Sequence, residues 1–159
     1  MATEKLKFKL ELYATTWDKP PHVEVIINDK SFFKDDIRGT EDKPDIIEFE
    51  HELQENEKYE LKIVRSGKTN SQTVVENGKM IKDQLLHIKY IEIDEIDIGP
   101  LVYEGEYTPE YPEPWATQQR EAGNDLKDSF KNVTQMGFNG TWSFRFESPF
   151  YMWLLENLY

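Results

Sequence analysis

Apolar side chains recur at every second residue along much of this 159-residue chain. That rhythm constrains the fold more than any other feature. Within residues 5–13, Leu6, Phe8, Leu10 and Leu12 fall on one side, while Lys7, Lys9 and Glu11 fall on the other. Successive side chains of a strand point to opposite faces, so the pattern predicts a strand buried on one face and solvated on the other. Val23, Val25 and Ile27 repeat it after a break at Asp18-Lys19-Pro20-Pro21, and Asn28-Asp29 marks a turn. Residues 33–44 read as a polar loop. In residues 45–53, Ile47, Phe49, His51 and Leu53 share a side. Tyr59, Leu61 and Ile63 alternate with Glu60 and Lys62 after a turn at Gln54-Glu55-Asn56-Glu57. Two strands joined so briefly are expected to pair antiparallel.

Residues 66–70 read as another loop. Residues 74–81 read as a hairpin about Asn77-Gly78, a pair that tolerates the positive φ angles of a type I′ turn. Along residues 85–98 the apolar parity shifts twice, from Leu86, Ile88 and Tyr90 to Ile91 and Ile93, then to Ile96 and Ile98. One flat strand cannot bury both sets, so the stretch predicts bulges or a strand that changes sheets. Trp142, Phe144 and Phe146 alternate with Ser143 and Arg145 as another strand.

Helix signals are few. Residues 124–131 have Asn124 as a cap, with Leu126 and Phe130 four apart. Ser148 as cap and Pro149 in the first turn suit a terminal helix with Tyr151, Leu154, Leu155 and Leu158 as its apolar stripe. A final strand is the competing reading. About seven to nine short strands and little helix predict an all-β, antiparallel β-sandwich or jelly roll with a short C-terminal helix. Residues 1–159 read as a single domain, with a proline- and aromatic-rich loop at about 99–116.

The composition excludes several functions. There is no cysteine, which removes disulfides and thiolate metal sites. A formal net charge of −12 repels phosphate backbones and anionic membranes, so neither nucleic acid nor membrane is an expected partner. No apolar h-region follows the first residues, so no secretion signal is expected and synthesis is expected to be cytoplasmic.

Catalytic motifs are absent. The chain has no Gly-rich phosphate loop, no His-Glu-x-x-His and no Gly-x-Ser-x-Gly. Gly67-Lys68-Thr69 matches only the tail of a Walker motif, and reads as a hairpin loop. His22, His51 and His87 all fall in predicted strands, where histidine is usually structural. Carboxylates are too abundant to single out a hydrolase pair. Asp94-Glu95 with Asp97, and Asp35-Asp36 with Glu41-Asp42, have the oxygen chemistry to ligate calcium, although neither matches an EF-hand loop. No cofactor is otherwise expected.

Two aromatic clusters are the candidate binding surfaces. Tyr107, Tyr111 and Trp115 recur every four residues among Pro109, Pro112 and Pro114. A proline-stiffened extended segment presents such rings to a sugar face or a protein at low entropic cost, or folds them back as a lid over the sandwich. Residues 150–155 are apolar on more than one side. They include Tyr151 and Trp153, which suit burial or an interface with a protein partner or a second copy.

Two stretches also carry a family resemblance. Ile91-Glu92-Ile93-Asp94-Glu95-Ile96-Asp97-Ile98 resembles a strand of the calcium-dependent, xylan-binding type of carbohydrate-binding β-sandwich module. Phe138-Asn139-Gly140-Thr141-Trp142, followed by Ser148-Pro149-Phe150-Tyr151, resembles the ending of small virion proteins of T-even-like tailed phages, which carry such sandwiches. The resemblance implies a jelly-roll fold and a capsid-decoration or tail role, but transfers no ligand set. The leading expectation is therefore a non-enzymatic binding or structural protein, a bacteriophage virion component. The alternative is a carbohydrate-binding module stacking glycans on loop aromatics, and the third reading is a glycan hydrolase.

Overall fold

The computed structural model describes residues 2–69 and 74–158, and the side chains of Met80, Ile81, Pro100 and Leu158 fall outside that description together with Asn70. Among the described residues the strands are β1 (Thr3–Thr15), β2 (His22–Ile27), β3 (Lys30–Asp36), β4 (Asp45–Gln54), β5 (Lys58–Ser66), β6 (Val74–Glu76), β7 (Lys79–Lys82), β8 (Leu85–Ile93), β9 (Ile96–Asp97), β10 (Glu106–Pro109), β11 (Phe130–Lys131), β12 (Gln135–Met136) and β13 (Gly140–Glu147). Two short helices join them, α1 (Trp115–Glu121) and α2 (Phe150–Leu158), with a 3₁₀ segment at Gly99–Glu104. One sheet runs β12-β8-β1-β4, with β9 folded back on β8, and the other runs β11-β10-β13-β5-β2-β3. The pairings in both sheets are antiparallel. The chain is thus the expected all-β sandwich.

The alternation does what it promised. Leu6, Phe8, Leu10 and Leu12 are buried against Val23, Val25, Leu61, Ile63, Trp142 and Phe144 in one core. On the solvent face of the first sheet, Lys5, Lys7 and Lys9 of β1 stand opposite Glu52, Glu50 and Glu48 of β4. Lys5 Nζ lies 2.9 Å from Glu50 Oε2. Opposite charges across a ladder favour this register, although water screens such exposed pairs.

The parity shift in β8 is a bulge. Glu11 pairs with Tyr90 and Leu12 with Ile88, which leaves Lys89 unpaired. Ile88 and Ile91 can then both be buried. Asp94 and Glu95, at φ 53° and 67°, form the tight turn into β9. Asn77 and Gly78, at φ 52° and 77°, make the expected turn between β6 and β7.

Four expectations are corrected. First, β4 and β5 do not pair with each other. β4 pairs with β1, and β5 with β2 and β13. The turn about Asn56 (φ 67°) is an arch between sheets, so the apolar faces of the two strands meet across the core. The phenol of Tyr59 accepts the N–H of Gln54 at 2.7 Å beneath that corner. Second, Phe33 to Asp36 belong to β3 rather than to a loop, paired with residues 22–25 of β2. Third, residues 124–131 form no helix; they end in β11, and the helix lies earlier, at α1. Fourth, the buried side of α2 is Phe150 and Leu154 with half-buried Trp153, whereas Tyr151 and Leu155 are exposed. Glu4 of β1, rather than Ser148, accepts the first helical N–H, that of Phe150, at 2.8 Å, and Ser148 donates its hydroxyl to the same carboxylate.

Candidate functional site

Three loops meet at one end of the sandwich: residues 67–69 after β5, residues 110–114 after β10, and residues 137–139 before β13. The Asn139 amide sews two of them together. Its Oδ1 accepts the N–H of Lys68 and its Nδ2 donates to the Lys68 carbonyl, both at 2.9 Å. The third is tied by Glu110 N–H to the Asn139 carbonyl at 2.6 Å. Pro112 and Pro114 lack an N–H but offer carbonyls, which accept the first N–H groups of α1 from Ala116 and Gln118. Trp115 is thereby fixed at the start of a helix.

The expectation of an unpaired loop through 99–116 is corrected at Tyr107 and Pro109. Both lie in β10, where they pair with Trp142 and Gly140 of β13. Pro109 fits because it closes the strand, where a missing N–H costs little. Tyr107 is only 4% exposed. Its phenol donates to the Phe138 carbonyl at 2.6 Å and accepts the Phe138 N–H at 2.9 Å. Burial pushes that phenol up to about 12, so it stays protonated and keeps both bonds.

Phe138 completes an aromatic cluster. Its ring lies 5.1 Å from Tyr111 and 5.5 Å from Trp115, and those two lie 6.1 Å apart. The Tyr111 phenol donates to the Lys127 carbonyl at 2.6 Å. The rings border two hollows. One, of about 660 Å³, is lined by Trp115, Phe138, Val75, Leu85 and the polar Gln118 and Gln135. The other, of about 320 Å³, is lined by Tyr111, Glu110 and Asn139. Lys68, Pro112 and Phe138 line both.

Lys68 is the polar centre. Its ammonium lies 2.5 Å from Asp83 Oδ1 and 2.5 Å from the Gly137 carbonyl, and 5.7 Å from the Phe138 ring centroid. The Lys68 and Asp83 side chains are 10% and 12% exposed. Burial pulls the ammonium below its ordinary range, while the hydrogen bond to Asp83 opposes that fall. Behind the pair, buried Arg65 donates to both the backbone carbonyl and the Oε1 of Gln84 at 2.6 and 2.7 Å. The N–H of Gln84 binds Asp83 Oδ1 at 2.8 Å. Arg65 therefore fixes the connection that carries Asp83.

Of the five candidate residues, Tyr111 and Trp115 line the cleft. Tyr107 lies beneath it and orients Phe138. Tyr151 and Trp153 line neither hollow. Trp153 packs edge-on against Phe144 at 5.7 Å, and exposed Tyr151 donates to Asp94. Spacing and motif in the sequence do not single out Phe138, Lys68 or Asp83 as site residues. The local signal was the Phe138-Asn139-Gly140 turn, but only the fold puts it beside Trp115.

The calcium candidates do not converge. Among the described residues no group of three or more carboxylates or histidines is placed to hold a metal ion. Asp36 is engaged by His22 and Arg38, Asp97 caps the N–H of Gly99, and Asp94 takes the Tyr151 hydroxyl.

No family model matches the chain, and no curated protein does. Two solved structures share its fold. One is vCBM60 in complex with galactobiose, at 9% identity and a TM-score of 0.50 over 87% of this chain and 96% of that one. The other is the selenomethionine form of vCBM60, described as part of an evolutionary link by circular permutation between two families of calcium-dependent carbohydrate binding modules. It aligns at 9% identity and a TM-score of 0.51 over 87% and 89% of the two chains. The likeness is one of fold, and it bears out the expected carbohydrate-binding-module-like sandwich. Among the described residues no donor set fits the calcium named for those modules.

Proposed function

We propose that this protein is a non-enzymatic glycan-binding module whose ligand lies in the Trp115–Phe138 cleft. The observation that carries the reading is the pairing of those two rings with Lys68, Asp83, Gln118 and Gln135 around one hollow. A sugar has an apolar C–H face and a polar rim, and a cleft with aromatic wall and hydrogen-bonding edge answers both. The Asn139 and Tyr107 bonds tie the Lys68 and Phe138 backbones in place, which lowers the ordering cost of binding at those two residues. The two structural neighbours are carbohydrate-binding modules, which supports this reading over the virion role expected from the sequence.

A glycan array followed by calorimetry tests the proposal, with galactobiose among the probes and calcium or EDTA added in parallel. Wild type binds at least one oligosaccharide, and Trp115→Ala weakens that binding at least tenfold, about 1.4 kcal/mol, with unchanged thermal unfolding. Binding that survives Trp115→Ala would move the site elsewhere.

A second reading, contact with a protein or a second copy, rests on α2. Tyr151, Met152 and Leu155 are 45%, 61% and 61% exposed there, a concentration of apolar surface that suits an interface. Light scattering across concentration checks it: Met152→Glu abolishes any self-association, and a strict monomer at all concentrations removes the self-assembly reading.

A further inference from the structure

Resting on the glycan reading of the cleft, we infer that Lys68, neutralised by Asp83, is the specificity residue of the site. It joins the two hollows into one binding track for at least two sugar units and turns away acidic sugars.

The geometry supplies the first half. The hollows are distinct, yet Lys68, Pro112 and Phe138 form part of both walls. Trp115 borders one and Tyr111 the other, with Phe138 between them. A single sugar ring stacks in one hollow or the other. A second unit linked to it passes Lys68 and reaches the other ring.

Hydrogen-bond chemistry supplies the next step. An ammonium has three donors and no acceptor. Among the described residues Asp83 and the Gly137 carbonyl take two of them. The remaining proton suits a hydroxyl or bridging oxygen of a sugar that crosses the junction. The four-carbon stem of a lysine is usually mobile. Here it is held by its side-chain ion pair and by the Asn139 amide on its backbone, so its donor is oriented before binding.

Electrostatics supplies the second half. An unpaired lysine in an aromatic cleft is a receptor for carboxylate or sulfate. Paired to Asp83 at 2.5 Å, Lys68 brings no net charge. Glu110 lines the smaller hollow, and Arg120 near Tyr111 is offset by Asp128. The chain as a whole carries −12. Arg65, the cation behind the pair, lines neither hollow and is held by Gln84, so a uronic or sulfated sugar would be desolvated in the cleft with no counter-charge in contact, which is unfavourable.

The test is calorimetry on the full chain with galactose, galactobiose, a neutral galactan tetrasaccharide and the matching galacturonic acid oligosaccharide. Wild type is expected to gain at least tenfold in affinity from one sugar unit to two, and to bind the acidic oligomer at least tenfold more weakly than the neutral one. Lys68→Met abolishes the gain at the second unit, whereas Lys68→Arg keeps part of it. Asp83→Asn, which unmasks the cation, narrows the gap between neutral and acidic ligands. Thermal unfolding of each variant separates lost binding from lost fold. Equal affinity for one unit and two, equal affinity for acidic and neutral chains, or a Lys68→Met protein with the full second-unit gain overturns the inference. In those cases loss of binding in Trp115→Ala still upholds the glycan reading. Failure of the wild type to bind any glycan defeats that reading, and this inference with it.

Discussion

The phenol of Tyr107 brackets the backbone of Phe138, donating to its carbonyl at 2.6 Å and accepting its N–H at 2.9 Å. One buried side chain of β10 thereby sets the position of an aromatic wall thirty-one residues further along the chain. Tyr107→Phe keeps the ring and removes both bonds. Leaving two backbone groups unmatched costs about 1–3 kcal/mol. Denaturant unfolding should show that loss, and glycan affinity should fall even though Tyr107 touches neither hollow. A binding constant unchanged by the substitution would separate Phe138 from the site.

Gly105 lies against the indole of Trp142, the largest fully buried side chain. A Cβ added at Gly105 would lie inside the van der Waals shell of the indole ring. Trp142 has no room to yield, since it lies between Tyr107 of β10 and Ile63 of β5 in the sheet. Gly105→Ala should therefore cost about 2 kcal/mol or more through overpacking. Chemical denaturation measures it, and a shift of a few tenths would show that β10 can slide.

Glu4 ties the first strand to the last helix, accepting the N–H of Phe150 and the hydroxyl of Ser148. Glu4→Ala should destabilise the protein by about 1 kcal/mol, the usual cost of a lost cap. Glu4→Gln, which keeps an acceptor, should lose less. Equal stability of the wild type and the alanine variant would show that packing of Phe150 and Leu154 alone holds α2.

Acid should weaken the fold through two histidines. Burial is the main reason that His51 and His87 hold protons less readily than the ordinary 6.5. At His51, Lys30 adds to this and Glu52 opposes it; at His87, Glu41 opposes and Arg65 adds. The unfolded chain then binds more protons than the folded one below about pH 6.5, so stability rises with pH there. Their contribution is complete above about 6.5 and is lost as the pH falls through the lower folded values. Melting temperatures between about pH 5 and 7.5 should show the slope. The double variant His51→Gln, His87→Gln should flatten it, and an unaltered slope would assign it to carboxylates.

The parts of the fold legible in sequence are those governed by local sterics and by which face is buried. The alternations in β1, β2 and β13, the Asn77-Gly78 turn and the parity shift in β8 each state which side chains turn inward. A two-residue period is silent about which sheet a strand joins. A hairpin and an arch bury the same residues around the Asn56 turn, and only packing against β1, β2 and β13 chose the arch. Proline likewise excluded β10 from the reading, because a missing N–H matters in mid-strand but not at the Pro109 end.

The site divides along the same line. Tyr111 and Trp115 stood out because their spacing and prolines lie in one segment. Phe138, Lys68 and Asp83 come from separate loops, and Lys68 meets Gly137 across 69 residues of chain. The sequence by itself determined the inward faces, the turns and the acidic surface, since backbone sterics and water act on each residue where it stands. The tertiary structure alone decided strand partners and the cleft, because both depend on side chains that become neighbours only after two sheets close on one core.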